Sequence, residues 1–389
     1  MHHFSSLPPL SLYLHFPWCV RKCPYCDFNS HELRGALEAD RYVEALLTDL
    51  EQDLPRVWDR PVRSIFLGGG TPSLFDPASI DRLLSSLRAR LTLAPGAEIT
   101  LEANPGTVEA ARFAEYRATG VNRLSLGIQS FADRQLQQLG RIHDRREAIR
   151  AAELARKAGF DNLNLDLMFA LPGQTVETAI EDLATAIALQ PGHISWYQLT
   201  IEPNTLFYHQ PPALPEDDTA WAIQCKGQSR LAAAGYTQYE VSAHAQPGRQ
   251  CRHNLNYWRF GDYLGIGAGA HDKISDPQRQ CIERRWKVKH PQAYLDRVAA
   301  GQPVAGSRQL DDSDVVLEFM MNALRLNDGF TVGTFTAHTG LSADCLVNRI
   351  TPALQRGWLE QDSRGIRATG EGRRFLDDLV GLFVPDDEY

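Results

Sequence analysis

From Ser11 to about Ser242 the chain alternates short apolar runs with amphipathic helical stretches, and this alternation restricts the fold more than any other feature. Strands are expected at Ser11–Phe16, Arg63–Leu67, Glu98–Glu102, Arg123–Ile128, Asn162–Phe169 and His193–Leu199, with a weaker one at Thr237–Val241. Helical periodicity fills the intervals at Leu37–Asp53, Pro77–Leu91, Val108–Thr119, Asp144–Ala158, Val176–Leu189 and Asp217–Ala234. Strand-then-helix repetition places the strands parallel, joined by right-handed crossovers. Six or seven such units in about 230 residues predict an α/β fold, a full or partial (β/α) barrel.

Beyond the alternation, Gln246–Asp276 reads as glycine-rich and aromatic loop. After Pro303 the pattern becomes helical, with segments at Ser313–Leu324, Val332–His338 and Ala343–Gln355. A short hairpin, Trp358–Gln361 with Gly365–Ala368, and a helix at Glu371–Leu382 complete a winged-helix-like module. Two domains are therefore expected, 1–305 and 306–389, with the boundary near Gly306.

The 40 basic and 48 acidic residues leave a formal charge of −8 and form no basic stripe. Nucleic acid is not an expected partner, and an anionic membrane surface gives no attraction. No run approaches the roughly 18 apolar residues of a membrane span. The N-terminus lacks a basic region, and His15 interrupts Leu10–Phe16, so no secretory signal is expected. Seven cysteines, three packed between 19 and 26 and four scattered, fit a reducing cytoplasm better than a disulfide framework.

Cys19, Cys23 and Cys26 follow the first strand with spacings of three and two intervening residues. Thiolates are the ligands iron–sulfur clusters take. Three on one loop can hold three corners of a [4Fe-4S] cubane and leave one iron open. Zinc completed by a distant histidine is the alternative, but zinc sites commonly use two C-x2-C pairs, and Phe28 occupies the nearest fourth position. The spacing resembles the radical-SAM superfamily. That resemblance implies S-adenosylmethionine (SAM) on the open iron, and Tyr25 matches the aromatic that precedes the family's last cysteine.

Sites in such barrels form at the C-terminal strand ends. There the sequence places Gly68-Gly69-Gly70-Thr71-Pro72, Glu102, Gln129 and Asp166, with Asn162 and Asn164 nearby. The glycines would let backbone approach a ligand and offer it N–H groups. Glu102 and Asp166 are acceptors suited to an ammonium group and ribose hydroxyls, and Gln129 and Arg141 can hydrogen-bond the same ligand. A helix cap or a surface carboxylate explains either acid taken singly, and Arg141 alone reads as solvated. Thr175 is expected to cap the next helix. The GGGTP loop, Glu102, SLGIQSF, LGRIHD and NLDLMFALPGQT together resemble the coproporphyrinogen-dehydrogenase branch of the superfamily. The resemblance covers roughly residues 10 to 270. It implies SAM contacts from Tyr13, Gly69, Gly70, Thr71, Glu102, Gln129, Arg141 and Asp166.

Within that branch, the oxygen-independent coproporphyrinogen III dehydrogenase carries a fourth cysteine two residues after the third, and a long region before the cluster. Here Phe28 stands at that position and 18 residues precede Cys19. Both features, and His253-Asn254-Leu255-Asn256-Tyr257-Trp258, are similar to the HemW-type heme chaperones. The resemblance implies a protein that binds heme and passes it to hemoproteins, membrane respiratory proteins among them. The chemistry of the segment agrees: imidazole is the usual axial ligand of heme iron. Tyr257 and Trp258 supply flat amphipathic surface, and Asn254 is placed to orient the His253 ring. A polar turn with packed aromatics is the plainer reading of the same residues. His271 is a spare ligand candidate, Ile266 or Ala268 is expected beside adenosine, and Cys251 reads as a buried thiol. The dehydrogenase remains the alternative function.

Overall fold

The computed structural model describes residues 2–385. Twelve strands form one sheet: β1 (Leu10–Phe16), β2 (Val62–Gly69), β3 (Leu93–Ala103), β4 (Arg123–Gln129), β5 (Leu163–Phe169), β6 (His193–Gln198), β7 (Thr237–Glu240), β8 (Ala243–Ala245), β9 (Asp262–Ile266), β10 (His271–Asp276), β11 (Cys281–Lys287) and β12 (Val304–Gln309). Their order is β12-β11-β10-β9-β1-β2-β3-β4-β5-β6-β8-β7. β1 to β6 are parallel, β9 joins β1 in parallel, and β10 to β12 form an antiparallel meander. β7 and β12 are the two free edges of the order, so the expected barrel is a partial one.

The crossover helices are α1 (Ala39–Val57), α2 (Pro77–Arg90), α3 (Arg145–Lys157), α4 (Val176–Ala188) and α5 (Asp217–Ala233). Local signals fix their starts. Asp76 caps α2, and Asp144 and Thr175 close capping boxes on α3 and α4, the last as expected. Strand alternation fixes the layers: Leu10, Leu12, Leu14 and Phe16 of β1 are buried against the helices, whereas Ser11, Tyr13 and His15 point into the barrel. Each such leucine adds about 1.5–3 kcal/mol of burial to the shell.

Four expectations change. Val108–Thr119 is not one helix; it divides into Thr107–Ala111 and Phe113–Ala118. Gln246–Asp276 is not loop. It holds the whole of β9 and β10 and a helix, α6 (Arg252–Trp258), while α7 (Pro291–Ala299) follows β11. The stretch after Pro303 begins with a strand, because β12 pairs with β11; the expected boundary at Gly306 falls inside it, where Trp286 packs too closely to admit a Cβ. A second hydrophobic cluster then gathers α8 (Asp312–Ala323), α9 (Val332–Thr339), α10 (Ala343–Gln355) and the hairpin Leu359–Asp362 with Gly365–Ala368. The last expected helix breaks at Phe375 into two short ones. Among the described residues, no helix is long and apolar enough to cross a membrane.

Candidate functional site

The cysteine loop springs from the end of β1 and is held from three sides. A two-residue parallel ladder pairs Trp18–Cys19 with His31–Glu32. Asn29 donates to the carbonyls of Ala268 and Lys289, both at 2.9 Å. The GGGTP loop holds it from behind: Gly70 N–H donates to the Phe16 carbonyl at 2.6 Å and Thr71 N–H to Trp18 at 2.7 Å. Gly69 N–H donates to Glu102 Oε2 at 3.1 Å. Two of the glycine amides expected to face a ligand, those of Gly69 and Gly70, are therefore spent on the protein itself, as is that of Thr71. The glycines matter for close approach: a Cβ on Gly69, at φ +109°, would lie 2.5 Å from the His15 ring, and one on Gly70 would lie 2.5 Å from the Trp18 carbonyl.

All three thiols are free and partly buried. Burial pushes Cys19 and Cys26 up, countered by hydrogen bonds from Thr71 and Ser30 respectively; Cys23 and Cys26 each raise Cys19 further. Arg141 Nη1 approaches Cys23 Sγ at 3.5 Å, a cation ready to offset thiolate charge. Among the described residues no three His, Cys, Asp or Glu gather closely enough to hold a single metal ion.

Beside this loop the inward strand residues form a polar layer of several hydrogen-bonded groups. Tyr13 and His15 share a hydrogen bond of 2.9 Å, and the other His15 nitrogen bonds the Asn29 carbonyl. Arg141 Nη2 donates to Asn104 and to the Gly127 carbonyl, both at 2.6 Å, so it is built into the wall and not solvated. Asn104 in turn donates to Thr71 at 3.0 Å. A register shift in the β4–β5 pairing accompanies the left-handed backbone of Gln129, φ +71°, whose side chain accepts from Tyr197 at 2.8 Å. Asp166 accepts from Ser125 at 2.9 Å and Asn164 at 2.8 Å. Asn162 lies apart and binds Arg123. Tyr25 packs on Phe207 at 6.4 Å between centroids. Burial, then the charge of Asp166, pushes Glu102 up to about 8, and burial also raises Asp166. Glu102 and Asp166 are half-buried acids that repel each other, with Arg123 drawing Asp166 down; a ligand's ammonium or sulfonium placed here would be favoured. Sequence reading passed over His15, Asn104 and Tyr197. The period-two alternation running from Tyr13 and from Glu102 points to the first two.

The HNLNYW residues sit differently from expectation. They form α6, whose first turn rests on Glu98: Oε1 accepts from the amides of Arg252 and His253 at 2.9 and 3.2 Å. His253 is 1% exposed and stacks on Phe66 at 4.9 Å. Ser64 bonds Nδ1 at 2.9 Å and Tyr257 bonds Nε2 at 3.2 Å, so Asn254 does not orient the ring. Burial pushes the imidazole down to about 3, leaving it neutral. Tyr257 meets Tyr263 edge-on at 4.4 Å, and Arg325 lies 4.3 Å over Trp258. These aromatic faces are occupied within the fold. Cys251 is buried beside Glu98, as a plain thiol. Ile266 and Ala268 are buried as well, while His271 is exposed and stacked near Trp286.

Residues 13–186 match the radical SAM superfamily and residues 310–375 the HemN C-terminal domain. The chain is 50% identical to the heme chaperone HemW of Escherichia coli (strain K12), over 98% of its own length and 100% of the relative's. It is 49% identical to that of Haemophilus influenzae, with the same coverage, and 32% identical to that of Bacillus subtilis over 96% and 99% of the two chains. Among solved structures, the coproporphyrinogen III oxidase HemN of Escherichia coli, described as a radical SAM enzyme, superposes with a TM-score of 0.81 at 26% identity, covering 97% of this chain and 90% of that one.

Proposed function

The chain belongs to the heme chaperone HemW family within the radical SAM superfamily, and on that premise we propose that it binds heme and hands it to target hemoproteins. Membrane respiratory proteins are the expected receivers, met through protein contacts. Family membership implies SAM and a [4Fe-4S] cluster; together they supply one-electron chemistry at the barrel mouth. Cys19, Cys23 and Cys26 would hold the cluster, and Arg141 would neutralise charge beside Cys23. Glu102 and Asp166 would take the cationic and hydroxyl groups of SAM. Tyr13, Tyr25, Gln129, Thr71 and the two glycines, Gly69 and Gly70, would shape the cavity around it. The part that holds the sheet, through β12, would carry these sites, and the helical module that follows it would meet partners or cover the porphyrin.

The observation that carries the reading is end-to-end identity with heme chaperones combined with Phe28, 61% exposed, where the dehydrogenase places a further cysteine. The HNLNYW segment fits it conditionally. His253 reaches an iron only once its nitrogens leave Ser64 and Tyr257, so that Tyr257 and Trp258 follow it out with α6. The backbone likeness to HemN favours a second reading, oxidative decarboxylation of coproporphyrinogen III. One experiment separates the two. The cluster is reconstituted anaerobically, hemin is titrated by its Soret band, and the same sample is assayed for coproporphyrinogen turnover. Tight hemin binding without carbon dioxide release is expected. Turnover would make the chain a dehydrogenase despite Phe28.

A further inference from the structure

The outer face of the cysteine loop carries a groove that the barrel chemistry does not use. Its volume is about 790 Å³, within the range of small-molecule sites. Trp18, Leu33, Leu37 and Leu295 give it apolar walls. His290, the exposed residue that precedes α7, lies at its side, with the His31 ring edge-on at a centroid distance of 5.7 Å. His31 is tied to Asn29 Oδ1 at 3.2 Å, which leaves His290 the more available imidazole. Lys22 and Arg34 stand on the rim, Lys22 bonded only to the Phe28 carbonyl at 3.3 Å among the contacts of the described residues. Of the acids that also line the groove, Glu38 is paired with Arg41 at 3.0 Å, and Glu32 is exposed.

We propose that this groove is a heme-binding site, with His290 as axial ligand and Lys22 and Arg34 meeting the propionates. The inference rests on the heme-chaperone reading and gives it an address. A porphyrin needs an apolar slot, one imidazole and cations for two carboxylates, and the groove brings all three together. The alternative ligand, His253, has both nitrogens bonded and is 1% exposed. A groove open to solvent also suits a cargo that must leave. It shares backbone with the cluster loop, because Trp18–Cys19 pairs with His31–Glu32, so occupancy of the groove bears on the strand that carries Cys19.

The test is a hemin titration of the full chain with its reconstituted cluster, comparing wild type with His290→Ala, Ala36→Trp and His253→Ala. Ala36 is exposed and lines the groove, so the tryptophan fills the slot without touching an imidazole. His290→Ala and Ala36→Trp should each weaken hemin binding at least tenfold, and each by more than His253→Ala does. His290→Met should retain binding with a displaced Soret band, the signature of an exchanged axial ligand. Wild-type affinity in both groove variants overturns the proposal. Loss in His253→Ala alone also overturns it, moving the site to α6 and leaving the chaperone reading intact. No hemin binding by wild type removes both.

Discussion

Glu102 shows how a single side chain at the barrel mouth is set by its surroundings. Its carboxyl receives one amide, from Gly69, and faces the charge of Asp166 across a desolvated cavity. A carboxyl whose pKa rises on folding keeps a proton that the unfolded chain releases. Its contribution to stability is therefore most favourable below the ordinary value of 4.5 and is lost as pH climbs to about 8. Glu102→Gln keeps an acceptor for the Gly69 amide and removes the charge. We expect it to melt above wild type at pH 9 and close to wild type at pH 5, by thermal unfolding of the cluster-free chain. A constant difference across that range would mean that Glu102 is already ionised at pH 5. The same logic applies to the thiols: burial holds Cys19 and Cys26 protonated until a metal site displaces the protons.

At the scale of an element, α6 is a short helix that could not stand alone, since helices this brief are marginal in water. Two things hold it: Glu98 under its first turn and the packing of His253 and Tyr257 between Phe66 and Tyr263. Glu98→Ala leaves the buried His253 amide without an acceptor, at a cost of about 1–3 kcal/mol, and frees the half-buried Arg252 amide as well. Hydrogen–deuterium exchange across 252–258 should quicken at least tenfold, with the crossover helices unchanged. Unaltered exchange would assign the anchoring to the aromatic contacts alone. If α6 must swing out to present His253, this variant also lowers the barrier to that motion.

Across the whole molecule, the meander is bound to the barrel by buried ions. Lys287 of β11 meets Asp53 at 2.6 Å and also Asp49, both on α1. Asp49 further accepts from Tyr294 and from the Gly267 amide. Arg56 pairs with Asp272 at 2.9 Å and Glu283 at 3.1 Å, and Lys273 with Asp262 at 3.0 Å. The network locks α1, α7 and β9 to β11 as one body, and with them the Ala268 carbonyl that receives Asn29 of the cysteine loop. Removing one partner strands charge in the interior. Lys287→Ala should cost about 3–5 kcal/mol in urea unfolding, and the reconstituted variant should hold less iron because the loop loses its support. Full stability would show that Asp49 and Asp53 take up protons in its place.

The sequence alone determined the parallel strand–helix core, its helix caps and the position of the cysteine loop, because these depend on periodicity and spacing within a few residues. Asp144, Thr175 and the alternation of β1 act on their immediate neighbours. Only the tertiary structure decided the rest. The meander was illegible because Lys273, Arg284, Arg285 and Lys287 read as surface residues, whereas their partners lie on other elements, Asp262, Glu318, Asp53 and Asp49 among them. The GGGTP amides looked free for a ligand because Phe16 and Trp18, which accept from them, lie more than fifty residues away. His253 looked presented because nothing near it in the chain announces Ser64, Phe66 or Glu98. A residue's type is local information. Which polar groups it satisfies, and hence what it is still free to bind, is fixed only when distant strands close around it.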